Sequence, residues 1–196
     1  MDDHATDTAI QLPPPLIVRS SNDVDLAVYD LGGDGPDLVM VHATGFCAGV
    51  WTPVIGRLEG NRQAALDVRG HGRSTVPSVG MDWNGTAEDV LATIDALGLE
   101  KPFGIGHSMG GASLVLAEQA RPGTFRGMWL YEPIIFPPEL NSQASDNPLV
   151  AGALRRRAAF ESPSSALSNF SSKPPFSLLD PDALAAYVKY GFEEHD

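Results

Sequence analysis

The chain has a single cysteine, Cys47, among its 196 residues. One thiol forms no intramolecular disulfide, and Cys47 falls in no metal-ligand spacing, so a reducing cytoplasmic compartment is expected. Basic residues are scarce too: 13 Lys and Arg stand against 25 Asp and Glu, giving a net charge of -12 and a pI near 4.6. That balance excludes broad electrostatic attraction to nucleic acid or to an anionic membrane surface. Long apolar runs are missing as well. Each is cut by glycine, proline or charge well short of the roughly 20 residues that cross a bilayer. The start, 1–14, lacks the basic and apolar regions of a secretory signal and reads as a flexible leader, first acidic and then proline-rich.

What is present is a chain of 43% hydrophobic residues, enough for one compact domain with a small appended lobe. From Leu16 to Tyr131 short apolar runs alternate with helical patterns, the signature of a mostly parallel sheet covered by helices. The expected fold class is therefore α/β, with about six strands. Leu16 to Arg19 and Asp25 to Tyr29 read as an opening hairpin, and Leu38 to Val41, Ala64 to Leu66, Phe103 to Ile105 and Met128 to Tyr131 read as further strands. Helices are expected around Val50 to Leu58, after a capping box formed by Thr86 and Asp89, and from Ser108 to about Ala120. Beyond Pro133 prolines separate short helical stretches and no further apolar strand appears, so 15–132 reads as the core and 133–196 as a helical cap. Its last helix has Asp180 as N-cap, Pro181 at N1 and an apolar face of Leu184, Tyr187 and Val188. The run Arg155-Arg156-Arg157 reads as a solvated helix face in so acidic a chain.

The chemistry centres on Gly106-His107-Ser108-Met109-Gly110, between the fifth strand and the helix that follows. A G-x-S-x-G pentapeptide is short, and Ser108 as a plain helix N-cap is its bland alternative. In a strand-to-helix turn the small neighbours allow a sharp reversal that exposes the serine hydroxyl beside the first helical amides. Two more motifs lie upstream: His42-Ala43-Thr44-Gly45-Phe46 after the third strand, and Asp67-Val68-Arg69-Gly70-His71-Gly72-Arg73-Ser74 after the fourth.

Together, in this order, the three motifs resemble the α/β-hydrolase superfamily over about Leu16 to Tyr131. The resemblance implies a cofactor-free Ser-acid-His enzyme acting on an ester or related acyl bond, esterase-like; a small to medium, partly apolar acyl compound is the expected substrate. Ser108 would be the nucleophile. The amides of Met109 and Thr44 would form the oxyanion hole, with Gly45 or Phe46 as alternatives to Thr44, since the family more often shows His-Gly where this chain has His42-Ala43. His42, His71 and His107 correspond to structural positions, and Asp67 and Arg69 to a local hydrogen-bonded network. A serine in place of aspartate separates the chain from the haloalkane dehalogenases and epoxide hydrolases. Perhydrolases and carbon-carbon bond hydrolases share the elbow, so the bond class stays open. Phe46, Trp51 and Trp129 are candidate pocket-lining residues, each equally readable as core.

The family order places acid and histidine after the serine. Glu132, after the sixth strand, is the candidate acid, or else it anchors the hinge into the cap. His195 follows Ser108 as the one remaining histidine, a base in cis or a solvated terminus. The resemblance thus covers the front part of a longer hydrolase. A shortened product, a second polypeptide that completes the sheet, a homo-oligomer and a non-catalytic ligand-binding module are the alternatives.

Overall fold

The computed structural model describes residues 10–136, 157 and 159–193. Six strands form one sheet in the order β1-β2-β4-β3-β5-β6: β1 (Leu16–Arg19), β2 (Asp25–Gly32), β3 (Asp37–Val41), β4 (Arg62–Leu66), β5 (Phe103–His107) and β6 (Gly127–Tyr131). The hairpin β1–β2 is antiparallel and joins β4 antiparallel, whereas β4, β3, β5 and β6 run parallel. The parallel strands end together, bringing the loops after β3, β4, β5 and β6 to one edge, where α/β sheets carry their ligand sites.

The period of two divides the strand side chains between two cores. Val39, Val41, Ala64 and Leu66 face α2 (Trp83–Leu97) and α3 (Met109–Ala120). Met40, Ala65, Ala27 and Ile105 face a 3₁₀ turn at Ala48–Trp51 and the single α-turn α1 (Thr52–Ile55). The long helix expected over Val50 to Leu58 is thus a 3₁₀ turn followed by one α-turn, with Pro53 at its start and Gly56 at its end. The described residues after Tyr131 that form regular structure are helical. α4 (Pro163–Ser171), a 3₁₀ turn at Phe176–Leu178 and α5 (Pro181–Gly191) enclose a third cluster of Phe170, Phe176, Leu184, Tyr187 and Val188. α5 is capped as expected, the Asp180 carboxylate accepting from the Asp182 amide. No described helix is long and apolar enough to cross a membrane.

α2 begins earlier than the expected capping box. Its N-cap is Asp82, whose carboxylate accepts from the Gly85 amide, and Gly98 closes it in the left-handed conformation. Thr86 lies inside the helix, its hydroxyl donating to Trp83 O. Asp89 serves a different purpose. Arg69, fully buried, donates from Nε and Nη2 to the two Asp89 oxygens at 2.9 and 2.8 Å, and its backbone amide adds a third bond at 3.0 Å. Ser20 and Ser21 extend the network to the β1–β2 turn. Gly85 is required here, because a Cβ would sit 2.0 Å from Arg69 Nη1.

A buried ion pair that loses one member leaves an uncompensated charge, at a cost of about 3–5 kcal/mol. Asp89→Ala should lower unfolding stability by that order in urea denaturation, whereas removing the exposed pair through Asp95→Ala should change it by less than about 1 kcal/mol.

Candidate active site

Ser108 sits where β5 turns into α3, with φ 53° and ψ -113°. This is the left-handed half of backbone space, costly for a residue with a side chain and maintained only by strong surroundings. Those surroundings are visible. The Ser108 amide donates to Tyr131 O at 2.9 Å, and its carbonyl accepts from Ala112 and from Ile134, both at 3.2 Å. A Cβ on Gly110 would lie 2.1 Å from Val41 O, and one on Gly106 would lie 2.7 Å from the Gly111 nitrogen. The helix therefore approaches the sheet at a distance that glycine alone permits. The Ser108 hydroxyl makes no capping hydrogen bond, so the plain N-cap alternative does not describe it. The leading amides of α3, Met109 first, have no acceptor within the helix and carry the positive end of its dipole.

The loop after β3 is fixed at its base by His42. This ring is completely buried, with Nδ1 2.8 Å from Ala43 O and Nε2 accepting from the Val68 amide at 3.0 Å. Burial first, then the neighbouring His71 and His107, push its pKa down to about 3, against an opposing contribution from Ala43 O. His42 is a neutral brace with both nitrogens engaged. Thr44 and Gly45 are exposed at the loop tip, and the Phe46 amide closes the turn onto Ala43 O at 3.1 Å. Phe46 as amide donor is thereby spoken for.

Glu132 has φ 46° and is bracketed by the two hydrogen bonds that tie Ser108 to Tyr131 and Ile134, which brings the hinge after β6 against the elbow. Its side chain is exposed, and its charge partly offsets the burial that lowers the pKa of half-buried His107. His195, and with it Arg155 and Arg156, lies outside the described residues. Of the candidate pocket residues, Phe46 packs between His107 and the helices of the third cluster. Trp51 is buried among Ala27, Tyr29, Met40 and Ile105, and is core rather than an exposed lining. Trp129 is 54% exposed and stacks on Tyr131 at 5.8 Å, on the last strand of the described sheet.

Sequence reasoning missed two partnerships. Asp89 as counter-ion of Arg69 had a signal: Thr86, Asp89 and Thr93 form a polar row at i, i+3 and i+7 among the apolar residues of α2. The contact of Asp67 with Tyr29 had none. Asp67 accepts from the Ala48 and Arg73 amides at 2.7 and 3.0 Å and from Tyr29 Oη at 3.1 Å, and burial raises its pKa despite these bonds. Asp67 and Tyr29 border an open cleft of about 520 Å³, lined also by Leu12, Arg73 and Tyr190; Ser108, Met109, Thr44 and Glu132 are not among its described lining residues.

A histidine whose folded pKa lies below its unfolded value stabilises the fold above pH 6.5 and loses that contribution as pH falls toward 3. Stability should therefore decline over this window with His42 present. His42→Gln should flatten the decline in urea titrations at stepped pH, at the cost of lower stability near pH 7.

The family model for the alpha/beta hydrolase family matches residues 38–193. The chain is 36% identical over 110 residues to a non-heme chloroperoxidase of Streptomyces lividans, covering 54% of this chain and 40% of that protein. It is 34% identical over 100 residues to a bifunctional esterase/perhydrolase of Acinetobacter calcoaceticus, covering 50% and 36%. The crystal structure of an E-2-(acetamidomethylene)succinate hydrolase superposes with a TM-score of 0.75 at 25% identity, over 91% of this chain and 65% of that one. The matched segments thus span about two fifths of these curated relatives and two thirds of the structural neighbour. Matched by its family model over most of its length, and carrying the fold of that structural neighbour, the chain belongs to the alpha/beta hydrolase family.

Proposed function

We propose that the chain is a serine hydrolase acting on an ester or related acyl bond of a small to medium, partly apolar compound. The observation that carries this reading is the backbone of Ser108, held at φ 53° at the start of α3 with its hydroxyl making no capping hydrogen bond. In that reading Ser108 Oγ attacks the acyl carbon, and the oxygen that becomes negative is met by the Met109 amide and the Thr44 amide. Prepositioned donors of this kind stabilise the developing charge without reorganisation. Thr44 is favoured over Phe46 because the Phe46 amide already donates to Ala43 O. The esterase activity in the name of the Acinetobacter relative supports the bond class.

The hydroxyl needs a base, and His42 does not serve because both ring nitrogens are engaged. His195 is the proposed base in cis and Glu132 the proposed acid. The helices after Pro133 act as a cap over the site. A second reading rests on the far edge of β6, which has no strand beside it among the described residues. There a further polypeptide, or a second copy, would complete the sheet and contribute the base, and the chain alone would bind ligand without turning it over.

Purified protein and Ser108→Ala should be compared on a short-chain p-nitrophenyl ester and with a fluorophosphonate probe. Ser108-dependent turnover is expected, falling by at least about 10³-fold in the variant, with labelling abolished. Equal rates in the two proteins would reject the chain by itself as an enzyme and favour the second reading.

A further inference from the structure

The loop that carries Thr44 is held at two ends by different parts of the molecule. At one end His42 is locked between Ala43 O and the Val68 amide. At the other, the Phe46 ring touches His107, the neighbour of Ser108, at 6.2 Å between centroids on one side. It also meets Phe176 in a stacked contact at 5.9 Å and Tyr187 in a tilted one at 5.2 Å. Phe176 and Tyr187 belong to the helical segment after Pro133, and between these two anchors Thr44 and Gly45 are exposed.

α5 comes this close for a specific reason. Tyr187 and Tyr190 lie three residues apart on one face of α5. Tyr187 reaches Phe46, while Tyr190 lies against Gly49, where a Cβ would be 2.4 Å from the tyrosine Cβ. Val50 packs into the same cluster. The segment Phe46 to Val50 is therefore the seat of α5, and it is continuous with the loop that presents the Thr44 amide.

We propose that Tyr187 is a positioning residue: seated on Phe46, it clamps the loop after β3 so that the Thr44 amide is aimed at the elbow only while α5 is docked. This deepens the serine hydrolase reading and rests on it for its catalytic consequence. Donor hydrogen bonds act on a developing charge only at short, defined distances, and a displacement near 1 Å costs about 10²-fold in rate. Releasing the clamp should depress the chemical step rather than substrate capture. Cap seating would in this way gate reactivity as well as access.

The test measures deuterium uptake of the 43–47 backbone together with kcat and KM on a short-chain p-nitrophenyl ester. Tyr187→Ala should speed exchange across 43–47 by about 10-fold and lower kcat by about 10- to 10²-fold with KM nearly unchanged. Phe46→Leu, which shortens the other side of the contact and spares the aromatic cluster around Phe170, should reproduce the faster exchange even if Tyr187→Ala unfolds. Phe160→Ala is the control: it removes a ring that contacts Phe170 and Phe192, with no contact to Phe46. It should loosen the cluster and leave 43–47 protected. Unchanged exchange in both Tyr187→Ala and Phe46→Leu, or equal acceleration by Phe160→Ala, would overturn the clamp. A parent without Ser108-dependent turnover would sink the hydrolase reading instead, and the exchange comparison would still decide the clamp.

Discussion

The reversal of the chain at Ser108 constrains everything around it. A strand and a helix meet there so closely that a Cβ on Gly110 would collide with the carbonyls of Val41 and His42, and one on Gly106 with the backbone of Gly110 and Gly111. No side chain fits between them. The strained φ of Ser108 is sustained because its amide and carbonyl are bound by Tyr131, Ala112 and Ile134. The same bonds fix the hinge at Glu132, itself in a left-handed conformation. Strain of this kind persists only where neighbours over-determine the backbone, and such places concentrate at functional sites.

Around that reversal the loops are held by buried polar groups rather than by regular structure. His42 joins the loop after β3 to the loop after β4. Asp67 joins the loop after β4 to the 3₁₀ turn and to β2, and Arg69 with Asp89 joins it to α2. Each group is desolvated, so each is costly unless its partners are in place. Loops built this way are rigid, which suits sites where backbone amides are to meet a charge without rearranging.

The far side of the site is organised differently. Phe46 bridges the sheet domain and an aromatic cluster of Phe170, Phe176 and Tyr187, packed ring against ring. The elbow and its polar braces are thus a fixed frame, while the α5 region meets it through the aromatic contacts of Phe46 and through Tyr190 Oη, which accepts from the Leu12 amide at 3.3 Å. On the opposite flank β6 ends the described sheet, with Trp129 and Tyr131 stacked and half exposed. The chain also spans only part of the length of its relatives.

The strand-helix rhythm, the order of the three motifs and the position of the serine were legible in the sequence, because local periodicity, turn chemistry and glycine spacing act over a few residues. The six strands and the hairpin lie where those patterns put them. The start of α2 was not legible, because Asp82 caps a first turn containing Asn84 and Gly85, weak helix formers that tertiary contact with Arg69 selects. Nor was the shortness of α1, which Pro53 and Gly56 confine to a single turn. Trp51 and Phe46 look alike in sequence as apolar residues near a motif. Only the fold sends one into the core and the other onto the aromatic cluster of Phe170, Phe176 and Tyr187, because burial depends on which surfaces meet across the chain. The sequence by itself determined which residues make a reversal at Ser108. The tertiary structure decided which distant groups hold that reversal in place, since the contacts of Val41 and Tyr131 with the elbow exist only once the chain has closed on itself.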